Sequence, residues 1–99
     1  MEQMERIKQM ERCLEQASVA VMELSAALEK YAAARKAIKS LEGYLGSEEW
    51  KQDFEAEEAG QLPKDMKRGV LSEDGIWNVL EDGRQLEARM LEVLAERTK

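Results

Sequence analysis

Between Ile7 and Ile38 apolar side chains return every three and four positions, and no Gly or Pro interrupts them. The seam reads Ile7, Met10, Leu14, Ala17, Val21, Leu24, Leu28, Tyr31, Arg35 and Ile38, with Arg35 its only charged member. A heptad with its a and d places filled predicts one long helix that seeks helical partners. The helix is expected over about 2–41, roughly 60 Å at the α-helical rise, longer than a compact domain of this size is wide. Cys13, Ala20, Ala27 and Ala34 broaden the stripe on one side, and their small side chains let another helix come close.

Gly43 and Gly46 bracket Tyr44 and Leu45 and supply the first stop signal. Ser47 suits an N-cap, and Glu48 and Glu49 follow it where a helix start favours negative charge. A short helix is expected over about 48–59, closed by Gly60. Trp50 and Phe54 stand four apart on one face, so they should fasten it to the first helix. Leu62-Pro63 opens a turn or short helix running through Met66 to Gly69.

Ser72 is expected to cap the last helix, over about 72–97, with Glu73 and Asp74 in its first turn and Arg97 and Lys99 at its far end. Its stripe is Ile76, Val79, Gly83, Leu86, Met90 and Val93, widened by Leu80 and Leu94. Gly83 on that stripe implies either a close backbone approach or a bend. These readings combine into an all-α fold, one helical domain over 1–99. Its long N-terminal and C-terminal helices pack antiparallel and its short central helix lies across them. The first helix then overhangs by about 20 Å. A bare apolar seam needs a cover, and self-association supplies one most simply.

The apolar and charged fractions, 43% and 36% with one Pro, favour helices over disorder. The net charge of −6 is matched by residues 42–62 alone, which carry seven acids and one base. Such a chain repels phosphate backbones, so direct nucleic-acid binding is not expected. It contains no His, which removes the usual general base near neutral pH and the commonest zinc ligand. Its one cysteine, Cys13, has no partner for an internal disulfide and no His or basic pair placed to activate it. No window has the apolar length of a signal peptide or a membrane span, so a cytoplasmic location is the expectation. Nothing calls for a cofactor, and with no visible catalytic machinery the chain is not expected to be an enzyme.

Two surfaces are candidates for recognition. One joins Tyr44, Trp50 and Phe54, which read as a packed interhelical corner or as partner anchors, with the seam residues Met10, Leu14, Val21 and Arg35. The other is acidic: Glu48, Glu49, Asp53, Glu55, Glu57 and Glu58. A calcium loop counted from Asp53 has Glu58 where Gly is needed and Lys64 where Glu is needed, so a solvated face is the better reading. Lys64, Lys67 and Arg68 are placed to pair with Asp53, Glu57 or Glu58 across the turn.

At Tyr44-Leu-Gly-Ser-Glu-Glu-Trp50, Asp53-Phe54-Glu-Ala-Glu-Glu-Ala-Gly60 and Leu62-Pro-Lys-Asp-Met-Lys-Arg-Gly-Val-Leu-Ser72 the sequence resembles the short helical proteins of domain of unknown function 4298. The resemblance covers nearly the whole chain and is most specific over 44–80. It implies a stand-alone helical protein of bacterial or phage origin and brings no activity, cofactor or catalytic residue. It also leaves Gly75 and Gly83 where better helix formers would be expected. The functional expectation is therefore a helical interaction module, a homo-oligomer and most simply a dimer. The alternative is an acidic inhibitor or nucleic-acid mimic that fills a basic cleft on another protein.

Overall fold

The computed structural model describes residues 2–72 and 74–97. Glu73 and Lys99, expected at the two ends of the last helix, lie outside the described residues. Among the described residues the chain forms three α-helices and one 3-10 turn: α1 (Gln3–Tyr44), α2 (Glu48–Glu58), the turn Gly69–Leu71, and α3 (Gly75–Glu96). The fold is all-α, with a long N-terminal, a short central and a long C-terminal helix. Two compact units divide it, Met1–Lys36 and Ala37–Lys99.

The first unit is α1 up to Lys36. Ala, Glu, Leu, Met, Lys, Arg and Gln dominate it, and each loses little on entering a helix. No residue of α1 is buried, and among the described residues of this unit Tyr31 alone is half-buried. The helix thus stands without a core of its own.

The second unit holds the last turns of α1 with α2, the 3-10 turn and α3. Its core is small: Leu71, Ile76 and Leu80 are buried, and Leu41, Leu45, Trp50, Phe54 and Leu62 are half-buried. Both α2 and α3 pack on the 3-10 turn, which makes it the hub of this unit.

Helix α1 passes through Gly43, expected near its stop, and ends at Tyr44. The chain turns at Gly46, whose φ of 78° is a conformation that favours glycine. Ser47 serves both sides of the corner. Its Oγ donates to the Tyr44 carbonyl at 2.7 Å and accepts from the Trp50 amide at 3.1 Å. Gly60, with φ of 69°, closes α2. The Gly60 amide donates to the Glu57 carbonyl and the Gln61 amide to the Ala56 carbonyl, which satisfies two of the orphan carbonyls of the last turn.

The last helix begins later than Ser72. Ser72 is extended (φ −69°, ψ 153°), and its Oγ donates to the Gly69 carbonyl at 2.7 Å while accepting from the Gly75 amide at 3.1 Å. It caps α3 from outside, and Asp74 occupies the N-cap position without a side-chain bond of its own. Gly75 has a tertiary reason. A Cβ there would lie 2.6 Å from the Gly69 carbonyl oxygen. Helix α3 runs unbroken through Gly83, which is half-buried.

Candidate interaction surface

Trp50, expected to help fasten α2 to the first helix, makes its side-chain hydrogen bond to the 3-10 turn. Its indole N–H donates to the Val70 carbonyl at 2.9 Å, tying α2 to the 3-10 turn. Phe54, one turn on, stacks on it with ring centroids 5.2 Å apart and planes 22° from parallel. Tyr44 holds the other flank: its hydroxyl donates to Asp53 Oδ2 at 2.6 Å. That bond, with partial burial and the nearby negative charges of Asp53 and Glu49, pushes the phenol up to about 12. All three aromatic residues are half-buried, and Trp50 and Tyr44 each make a bond within the chain.

The acidic candidates divide. Asp53 holds Tyr44, Glu57 pairs with Arg68, and Glu48 lies 3.8 Å from Lys51 along the helix. Glu49, Glu55 and Glu58 are exposed. Of the three basic residues beyond the turn, Arg68 makes the expected pairing. Its guanidinium also donates to the carbonyls of Pro63 and Met66 and so fixes the 63–68 segment to α2. The acidic face is therefore partly a device of the fold, with three of its six members engaged by other side chains.

The seam candidates lie elsewhere. Met10, Leu14 and Val21 are 53%, 61% and 66% exposed, and Ile7, Leu24 and Leu28 are comparably open. Arg35 and Cys13 are exposed as well. Further along α1, Tyr31, Ile38 and Leu41 are half-buried. The bare part of the seam is thus Ile7–Leu28, in the first unit, and the aromatic corner belongs to the second.

Two features escaped the sequence reading. Trp77 is half exposed on the first turns of α3, beside the buried Ile76 and Leu80 but one place off their stripe. Its offset of one residue was the only signal available. The second is a shallow apolar groove of about 460 Å³ lined by Leu41, Val70, Ile76 and Val79, with Lys67 at its rim. It forms because the 3-10 turn and the start of α3 stand close together.

These features define an all-α protein of three described helices, one of which carries an uncovered apolar face. It belongs to the family described as domain of unknown function (DUF4298), whose family model matches residues 7–93. Neither a curated protein nor a solved structure gives a match. Among the described residues no helix is long and apolar enough to cross a membrane.

Proposed function

We propose that this chain is a non-enzymatic helical interaction module that self-associates, as a dimer, through the heptad seam of α1. One observation carries the reading: the large apolar members of the seam from Ile7 to Leu28 all stand about half exposed or more in the single chain. Soluble monomers seldom leave a contiguous apolar stripe of that length uncovered. Scaled from the usual energy of burying a large apolar side chain and reduced for their half exposure, these six offer roughly 200–400 Å² per chain, and the residues flanking the seam supply the rest of the roughly 800 Å² per partner that a standard interface buries. The exposed thiol of Cys13, the chain's one cysteine, suits a reducing compartment, and we place the module in the cytoplasm.

Light scattering and sedimentation over a concentration series, at low and high salt, test this. The expected result is a dimer that survives high salt, because apolar burial is not screened. Leu14→Glu with Leu24→Glu should return the chain to a monomer. A wild-type chain that stays monomeric at every concentration and both salts overturns the proposal.

A further inference from the structure

This step rests on the self-association proposed above and concerns its geometry. We infer that two copies of α1 pair antiparallel over Ile7–Tyr31, with the two-fold axis between Ala17 and Val21. The open stretch sets the length: every large seam residue from Ile7 to Leu28 is exposed, and Tyr31, half-buried and so still partly open, ends it ahead of Arg35. One antiparallel register uses this stretch and stops short of Arg35. It sets Ile7 on Tyr31 of the second copy, Met10 on Leu28, Leu14 on Leu24 and Ala17 on Val21, and symmetry repeats each layer. Every layer is apolar, and the smallest member faces a branched one.

The in-register parallel alternative is worse in its core. It opposes Ala17 to itself, leaving a gap, and a seam continued to Arg35 opposes that guanidinium to its own copy, where like charges repel. Its gain is an Arg6–Glu11 pair at each exposed flank, which is a weak attraction. In the antiparallel register the flanks are small: Ala20 meets Ala20 and Ser18 meets Ser18 near the axis, and Cys13 meets Ala27. Backbones can then approach closely. Charge agrees in sign. Residues 2–18 carry four acids and three bases, residues 19–36 two acids and three bases, so each end lies on a region of opposite balance. Antiparallel helix dipoles also attract.

The native thiol provides the test. In the antiparallel dimer, Cys13 and its copy are offset by twelve residues, about 18 Å along the axis. In the parallel one they are level, about 10 Å apart across the helices. A nitroxide on Cys13 should therefore give a distance beyond about 20 Å, and the same label in a Cys13→Ser, Ala20→Cys chain should give one near 10 Å. Short distances at both positions overturn the antiparallel geometry while leaving self-association standing. A monomeric mass for the wild-type chain overturns both. Arg35→Leu supplies an independent arm: its dissociation constant should stay within about twofold of wild type. A tenfold tightening would place Arg35 in the interface and refute the register.

Discussion

Replacing Gly75 by Ala should destabilise the second unit, although Ala is the better helix former. The new Cβ would lie 2.5 Å from Ser72 Oγ and 2.6 Å from the Gly69 carbonyl oxygen. Ser72 could rotate away, but its Oγ would then lose its bonds to the Gly69 carbonyl and the Gly75 amide, each worth about 1 kcal/mol. The Gly69 oxygen is backbone in the 3-10 turn on which both α2 and α3 pack, so it has little freedom to yield. Overpacking of this kind costs about 1–3 kcal/mol, against a propensity gain of at most about 1 kcal/mol. The net loss should be about 1–2 kcal/mol. For a unit of this size that lowers Tm by roughly 4–8 °C per kcal/mol. The assay is the thermal transition at 222 nm and by tryptophan emission, at one protein concentration. Gly43→Ala is the control: its Cβ would meet nothing within 4 Å, so it should stabilise by up to about 1 kcal/mol. A Gly75→Ala chain that melts at or above the wild-type temperature would refute the close approach and the hub role of the 3-10 turn.

The corner yields two further expectations. Trp50→Phe keeps an aromatic ring against Phe54 but removes the donor to the Val70 carbonyl, so stability measured by urea titration should fall by about 1–2 kcal/mol; an unchanged midpoint would place the indole outside the fold's bonding. Tyr44 should ionise near pH 12 rather than 10, read as the 295 nm difference between wild type and Tyr44→Phe. The fold favours the neutral phenol, so the bond's contribution is whole below about pH 10 and lost as pH rises through about 12. Asp53→Ala removes the acceptor and should bring the step back toward 10.

What could be read from the residues was whatever depended on neighbours along the chain. The gap-free run from Ile7 to Ile38, the Ser47 cap and the Gly60 stop all act within one helix or one corner, and the structure has them at those places. Ser72 shows where that logic ends. A serine before two acids reads as an N-cap, and its Oγ does accept from the Gly75 amide, but it also donates back to the Gly69 carbonyl of the 3-10 turn, and α3 starts three residues later. Gly75 looked like a flaw for the same reason, because the carbonyl that excludes a side chain there belongs to another element. Trp50 was legible as a corner residue but not as a donor to Val70, twenty residues away. Arg68 was one of three equivalent cations until the turn at Pro63–Met66 placed it beside Glu57. The seam was legible as a pattern, while the exposure of its residues from Ile7 to Leu28 is known only from the structure.

If the seam pairs as proposed, that exposure ties the helicity of the first unit to association. Isolated helices in water are held only marginally by propensity, and tertiary burial normally supplies most of their stability. In the described part of the first unit no residue is fully buried and Tyr31 alone is half-buried. The second unit has its own core at Leu71, Ile76 and Leu80, and it contains both tryptophans of the chain, Trp50 and Trp77. Two probes therefore separate the units. Tryptophan emission reports the second unit, while ellipticity at 222 nm is weighted toward α1, the longest helix. On dilution through the dimer dissociation constant, ellipticity should fall and its thermal midpoint drop, as mass action requires for a fold stabilised by a partner. The emission midpoint should stay where it is. Coincident transitions that ignore concentration would show that α1 is held by contacts within one chain, and the seam would then need no second copy.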